Sequence, residues 1–298
     1  MTLPGGALSP ATLAALDDSG LDAAYVEDLA RRTVAEDLAG GVDVTSTATV
    51  PEQLQGDAAF VPRAPGVLAG LPVAMAVLDV VGDVRLTALA ADGDRVRPGQ
   101  AVLRAQGPVR ALLTAERSAL NLLCHLSGVA TLTRRWVDAV EGTGAVVRDT
   151  RKTTPGLRAL EKHAVRAGGG QNHRMALSDA ALVKDNHVVA AGGVVPAFTA
   201  VRAAFPGLAV EVECDTVAQV REVVAAGADL VLLDNMTLDD LRESAALCRA
   251  AGVLTEASGG LSLDVAHDVA ATGVDFLAVG ALTHSAPVLD LGVDLTCS

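Results

Sequence analysis

The feature that most constrains the fold of this chain is a regular alternation in its second half between short apolar runs and amphipathic stretches. The apolar runs have the length and composition of strands, and they are VVRDT at 146–150, ALVKD at 181–185, AVEVEC at 209–214, LVLLDN at 230–235, LTEASG at 254–259 and FLAVGA at 276–281. The amphipathic stretches are predicted to be helices over 157–167, 194–205, 217–226, 238–251 and 263–272. Strands that alternate with helices in this way predict a parallel sheet with crossover helices.

The spacing of these units favours a barrel over a doubly wound sheet. From the third run onward one unit follows the next at roughly twenty-odd residues. Six strands predict a barrel that is smaller or more open than the usual eight-stranded form. Thr216 and Thr237 stand where helix N-caps are expected, and Gly227, Gly252 and Gly273 stand where helices should end.

Residues 1 to about 113 have a different pattern, which predicts a separate α+β domain. A helix is expected around 25–39, followed by the short strands AAFVPR and RLTAL and by DRVRPGQAVLRAQG as strand, turn and strand. A long helix from Ala115 to about Trp136 should link the two parts, and Gly128 is a candidate for a break in it.

Composition limits the class of ligand and the compartment. The formal net charge of −13 disfavours nucleic acid and anionic membranes, so an anionic substrate needs a local basic cluster. Seven Lys or Arg residues between Arg148 and Arg174, against two acids, supply one. The four cysteines form no C-x-x-C pair, and the N-terminal stretch lacks the basic start and apolar run of a signal peptide. We therefore expect a soluble, cytoplasmic protein.

Polar residues follow the predicted strands at the ends where such barrels build active sites. They are Asp149, Thr150, Arg151 and Lys152, then Lys184, Asp185, Asn186 and His187, then Glu211, Glu213 and Asp215, then Asp234 and Asn235, then Glu256 and Ser258, and finally Gly280. In AVEVEC the period of two turns both glutamates into the barrel. Lys184 and Lys152 are the expected partners, in a functional site or in a purely structural salt-bridge network.

Two glycine-containing loops after the last two strands, ASGGL at 257–261 and VGALTHS at 279–285, predict a phosphate site. Arg117 falls in the first turn of the predicted long helix, where the dipole disfavours a cation, so it is either solvated or reaches an anionic ligand. His173 and Arg174 follow a glycine run, in an ordinary loop or in a lid that delivers two donors.

Taken together, these motifs resemble the quinolinate phosphoribosyltransferase family. The segments that carry the resemblance are TAERSALNLLCHLSG, RDTRKTTPGLRALEKHAVRAGGGQNHR, ALVKDNH, EVECDT, LLDNM, ASGGLS and FLAVGALTHS. The likeness extends from AEDLAGGVDVTS at 35–46 to VLDLGVDL at 288–295. The chain lacks the paired acids and Thr-rich loop of the other large phosphoribosyltransferase class.

The resemblance implies an N-terminal α/β sandwich domain at 1–125, an open α/β barrel of about six strands at 126–285, and a segment 286–298 that packs back on the first domain. It implies transfer of phosphoribose from phosphoribosyl pyrophosphate to quinolinate, giving nicotinate mononucleotide, pyrophosphate and carbon dioxide. It also implies Mg²⁺ as cofactor and a homodimer in which Arg117 acts on the neighbouring subunit's site.

The same resemblance assigns site residues. Catalysis falls on Lys152, Lys184, Glu213 and Asp234, the last two also holding ribose and metal. Substrate-binding residues are Arg117, Thr150, Arg151, Lys152, His173, Arg174, Lys184, Glu213, Asp234, Ser258, Gly259, Gly260, Val279, Gly280, Ala281 and His284.

Three alternatives stay open from the residues. One is a Schiff-base aldolase with Lys184 or Lys152 as nucleophile. Another is a non-catalytic paralogue that keeps the basic pocket but forms no product. The third is an enzyme of the same type that accepts nicotinate.

Overall fold

The computed structural model describes residues 5–297, which form two compact units. Of the described residues, the first unit contains 5–132, together with Ala159–Gly169 and 285–297. The second contains Thr133–Arg158 and Gly170–His284. Because compactness does not test which segments fold independently, the predicted domains 1–125 and 126–285 stay a prediction.

The elements up to the long helix are α1 (Pro10–Asp18), α2 (Ala23–Leu38), α3 (Val44–Thr49), β1 (Gln55–Pro62), β2 (Gly66–Val67), α4 (Leu71–Val81), β3 (Arg85–Ala88), β4 (Arg95–Val96), β5 (Leu103–Pro108) and α5 (Val109–Ala139). Those that follow are β6 (Val146–Arg148), α6 (Arg158–Ala167), β7 (Ala181–Val183), α7 (Asp185–Ala191), α8 (Val194–Ala204), β8 (Val210–Cys214), α9 (Val217–Ala225), β9 (Leu230–Asp234), α10 (Leu238–Ala250), β10 (Leu254–Ser258), α11 (Leu263–Ala270), β11 (Phe276–Ala278), α12 (Ala281–His284) and β12 (Leu291–Cys297).

The first unit is built on a four-stranded antiparallel sheet in the order β12-β1-β5-β3. The C-terminal strand β12 pairs with β1 from Gly56 opposite Cys297 to Pro62 opposite Leu291. Every residue of α4 is buried. At the start of this helix, the Asp92 carboxylate accepts hydrogen bonds from the backbone N–H groups of Gly70 and Leu71. A carboxylate in that position satisfies donors that the helix itself leaves open.

The long helix α5 differs from its prediction in two respects. It begins at Val109 instead of Ala115 and runs without interruption through Gly128, so the expected break is wrong. Gly128 instead permits close approach of another segment, since a Cβ there would lie 2.3 Å from the Pro287 carbonyl oxygen. The earlier start also puts Arg117 in the third turn, where the helix dipole no longer disfavours a cation.

The second unit holds six parallel strands in the order β6-β11-β10-β9-β8-β7, as the alternation predicts. Thr216 and Thr237 are confirmed as N-caps of α9 and α10, accepting the backbone N–H of Gln219 and Asp240. The hydrogen-bonded ladder ends at β6 and β7, and within residues 5–297 these two edges are not paired with each other. Closure of the barrel therefore stays a prediction.

Within the described part of the chain, no single helix is long and apolar enough to cross a membrane. The bent pair α7 and α8 meets the requirement only when the two helices are joined, on length and composition alone.

Candidate active site

A cavity of about 240 Å³ at the carboxyl ends of the parallel strands gathers most of the predicted cationic residues. It is lined by Thr150, Arg151, Lys152, His173, Arg174, Lys184 and Ser258, and also by Leu182, Leu232, Glu256 and Ala278. The first unit has a larger cavity of about 750 Å³, but none of the predicted site residues line it. The smaller cavity is the candidate site, because four cationic side chains converge there on a volume suited to a small anionic ligand.

Two guanidinium groups, those of Arg151 and Arg174, line this cavity and could bind an anion together. The Nε atom of Arg151 is buried and has no hydrogen-bond partner among the described residues. Burial and the positive charge of Arg151 both lower the pKa of Arg174, whose Nη1 donates to the Ala180 carbonyl oxygen at 2.7 Å. Two like charges held together, one with an unused donor, are stabilised when a ligand brings negative charge between them.

The segment that carries His173 and Arg174 is held against β6. Gln171 bridges to Arg148, and the fully buried Asp149 accepts the backbone N–H of His173 at 2.8 Å and the side-chain amide of Asn172 at 2.6 Å. The glycines before it let the chain turn back to the sheet. Both predicted donors therefore line the cavity from a tethered loop.

Both ring nitrogens of His173 already have protein partners. Nε2 lies 2.8 Å from Glu211 Oε2 and 3.4 Å from Glu256 Oε1, while Nδ1 accepts the backbone N–H of Arg174 at 2.7 Å. Burial lowers the pKa of His173, but hydrogen bonds and charges from the two glutamates outweigh it and raise that pKa to about 9. A charged ring cannot accept at Nδ1, so protonation would require the Arg174 N–H to turn away. In either state Nε2 carries a proton, because the neutral ring accepts at Nδ1 only with its proton on Nε2 and the charged ring is protonated on both nitrogens.

The expected lysine partner of Glu211 is wrong, because the residue it meets is His173. Glu211 is 3% exposed and Glu256 is fully buried, and burial raises the pKa of Glu211. Arg148, at 3.1 Å, forms an ion pair with Glu256. Neither the pairing of Arg148 nor a role for Glu256 was predicted from the sequence. Strand alternation that turns both Arg148 and Glu256 inward was the available signal.

His173, Glu211 and Glu256 also place three potential metal-ligand atoms within 4.8 Å of one another. The Nδ1 contact argues against a metal in this group. A neutral imidazole that accepts a hydrogen bond at Nδ1 carries its proton on Nε2, and a protonated nitrogen cannot bind a metal.

Glu213 and Lys184 meet as predicted, with Lys184 Nζ 2.9 Å from Glu213 Oε2. Asp234 lies close enough to interact electrostatically with both of them. Its pKa is raised first by burial and then by the negative charges of Glu213 and Asp215, while Lys184 opposes the shift. The predicted catalytic carboxylates are thus neighbours beside the basic cavity.

The two glycine loops lie beside residues of the candidate site: the first approaches Asn235, and the second approaches Lys152 and His284. Gly259 and Gly260 both have positive φ, and a Cβ on Gly259 would lie 2.3 Å from Asn235 Oδ1. A Cβ on Gly280 would lie 2.9 Å from the Lys152 side chain and 3.2 Å from His284 Nε2. Gly259 is therefore required by its positive φ and by the close backbone of Asn235, whereas the atoms nearest to Gly280 belong to side chains.

Nine of the predicted residues do not line the cavity: the residues Glu213, Asp234, Gly259, Gly260, Gly280 and His284 described above, and also Val279, Ala281 and Arg117. Val279 is buried, and its backbone N–H donates to the Arg148 carbonyl oxygen. Ala281 begins the short helix α12. Arg117 is exposed on α5 and belongs to the first unit.

Comparisons with known proteins identify the family of this chain. Residues 43–127 match the model of the quinolinate phosphoribosyl transferase N-terminal domain, and residues 129–294 match that of its C-terminal domain. A nicotinate-nucleotide pyrophosphorylase (carboxylating) from Mycobacterium leprae is 53% identical over 94% of this chain and 100% of that protein. A probable enzyme of the same name from Bacillus subtilis is 41% identical over 88% of this chain and 91% of its own length.

Among solved structures, NadC from Streptococcus pyogenes matches this chain with a TM-score of 0.89 and 38% sequence identity. The match covers 93% of this chain and 99% of that one. The two family models together match residues 43–127 and 129–294, and the structural match covers most of the chain. This chain therefore belongs to the quinolinate phosphoribosyltransferase family.

Proposed function

We propose that this protein joins quinolinate to phosphoribosyl pyrophosphate, releasing pyrophosphate and carbon dioxide and forming nicotinate mononucleotide, a step of NAD biosynthesis. The observation that carries the proposal is the convergence of Arg151, Arg174, Lys152 and Lys184 on one cavity of about 240 Å³. Quinolinate has two adjacent carboxylates on a pyridine ring. Guanidinium groups can bind such carboxylates in a bidentate fashion, and the lysines add point charges.

The chemistry needs positioning and charge more than a side-chain nucleophile. As the bond between the ribose and pyrophosphate breaks, the sugar gains oxocarbenium character, which the carboxylates of Glu213 and Asp234 would stabilise. The quinolinate nitrogen then forms the new bond to the sugar. The resulting positive ring nitrogen stabilises the carbanion left when the adjacent carboxylate departs as carbon dioxide, and a proton takes its place. Holding the two reactants in line supplies much of the acceleration.

Magnesium is the cofactor that suits this site. Glu213 and Asp234 offer hard oxygen ligands, and the neighbouring negative charges that raise the pKa of Asp234 are those a divalent cation would offset. Bound Mg²⁺ would neutralise the pyrophosphate and so make it a better leaving group. The glycine loops at Ser258–Gly260 and Gly280–Ala281, with His284, would receive the phosphate groups.

The aldolase alternative fits these surroundings poorly. A Schiff-base lysine needs a desolvated site that lowers its pKa. The side chain of Lys184 is 48% exposed and forms an ion pair with Glu213, so it does not lie in a desolvated site. The remaining predictions, a cytoplasmic location and a homodimer, belong to this proposal as well.

The reaction itself is tested by release of labelled carbon dioxide from carboxyl-labelled quinolinate. We expect release only when phosphoribosyl pyrophosphate and Mg²⁺ are both present, with equimolar nicotinate mononucleotide. A protein that binds quinolinate but releases no carbon dioxide would be the non-catalytic paralogue. Product formation from nicotinate, without carbon dioxide, would instead identify the acceptor as nicotinate.

Arg117 is expected to act on the partner's site within a homodimer, and subunit mixing tests this. Arg117→Ala and Glu213→Gln should each be nearly inactive. When equal amounts are unfolded and refolded together, half of the dimers are hybrids, and each hybrid regains one intact site, so activity should reach about 25% of wild type. If Arg117 serves its own subunit's site, mixing should restore nothing.

A further inference from the structure

Asn235 adopts a backbone conformation that L-residues rarely take. It follows Asp234 at the end of β9 and has a φ of 53°, one of three positive values at non-glycine residues in the part of the chain described, the others being Ala39 and Asp83. Asparagine tolerates the left-handed region better than most residues, but the conformation still has a cost. Such strain persists where the surrounding structure requires it, and it is concentrated at functional sites.

The side chain of Asn235 turns back on the residue before it. Its Nδ2 atom donates a hydrogen bond to Asp234 Oδ2 at 2.5 Å. Asp234 also lies near the negative charges of Glu213 and Asp215, which repel its carboxylate. A donor carried by the neighbouring residue restrains the rotation of that carboxylate.

Asn235 also packs against the first glycine loop. Its backbone N–H donates to the Ser258 carbonyl oxygen at 3.1 Å. A Cβ on Gly259 would lie 2.3 Å from Asn235 Oδ1 and 2.7 Å from its backbone nitrogen. Asn235 thus occupies the space between the Asp234 carboxylate and a loop assigned to phosphate, and Gly259 leaves room for it.

We propose that Asn235 is a positioning residue that fixes the Asp234 carboxylate relative to the Ser258–Gly260 loop, so that the metal-bearing carboxylate and the phosphate loop engage the sugar donor together. This rests on the proposed roles of Asp234 and of the loop. The left-handed backbone of Asn235 directs its side-chain amide toward Asp234, and the hydrogen bond from that amide restrains the Asp234 carboxylate.

Two substitutions separate the backbone from the amide. Asn235→Gly keeps the left-handed conformation without strain but removes the donor, whereas Asn235→Ala removes the donor and is strained. We expect Asn235→Gly to raise the Kd for Mn²⁺, measured by electron paramagnetic resonance with pyrophosphate present, by about tenfold, in line with the loss of a hydrogen bond to a charged group. The KM for phosphoribosyl pyrophosphate should rise similarly, while the KM for quinolinate stays within twofold and the Tm is retained.

Asp83→Gly is the matched control, since it removes a side chain from another left-handed position, in the first unit, and should leave Mn²⁺ binding unchanged. Wild-type Mn²⁺ binding by Asn235→Gly, with weak binding by Asn235→Ala, would assign the effect to the backbone and overturn the role of the amide. Equal changes in the KM of both substrates would also overturn it. Asp234→Asn tests the underlying assignment separately, because unchanged Mn²⁺ binding there would remove Asp234 itself from the metal site.

Discussion

Arg151→Ala is expected to weaken quinolinate binding by about 30- to 1,000-fold, the equivalent of about 2–4 kcal/mol. The reason is that this guanidinium lines the cavity with a buried Nε that lacks a protein partner among the described residues, so its hydrogen-bonding capacity is available to a ligand. Isothermal titration calorimetry with quinolinate measures the effect directly. Arg151→Lys should recover only part of the loss, because an ammonium group cannot form the bidentate contact.

Arg221→Ala is the control for this change. Arg221 is an exposed arginine that pairs with Glu243 on the surface, and its loss should leave quinolinate affinity unaltered. An affinity for quinolinate that stays within a factor of two in Arg151→Ala would remove this residue from the substrate site. The same outcome for Arg174→Ala would leave the cavity without its proposed ligand.

Glu213→Gln is expected to lower kcat by about two to three orders of magnitude, because the isosteric amide keeps the shape but loses the negative charge that stabilises developing positive charge on the sugar. The Tm should change by only a few degrees, since the partner Lys184 is half exposed and can be solvated when its carboxylate partner is removed. Steady-state kinetics and thermal unfolding of the same preparation measure both quantities.

Glu222→Gln supplies the comparison, as a neutralised exposed glutamate on the helix that follows the same strand. It should match wild type in both assays. If Glu213→Gln instead reduced the Tm and left kcat intact, the pair with Lys184 would be a structural salt bridge and the catalytic assignment would fall.

Local pattern was sufficient for much of the fold. The six strands and the helices between them follow from periodicity, because alternation with a period of two and amphipathic stretches of helical length are properties of neighbouring residues. The caps Thr216 and Thr237 follow for the same reason. The long helix shows the limit, since Gly128 suggests a break only until the approach of Pro287 is known.

The basic lining of the cavity could also be predicted from the sequence alone, because parallel strands bring their carboxyl ends to one edge and five of the six predicted strands carry charged residues there. The pairing of these charges with one another could not be predicted from the sequence. Glu211 meets His173, 38 positions away on a loop, and Asn235 packs against Gly259 in the loop after the next strand. Sequence spacing specifies the face on which a side chain lies, but the path of a loop and the distances between groups from separate strands arise only when the elements pack.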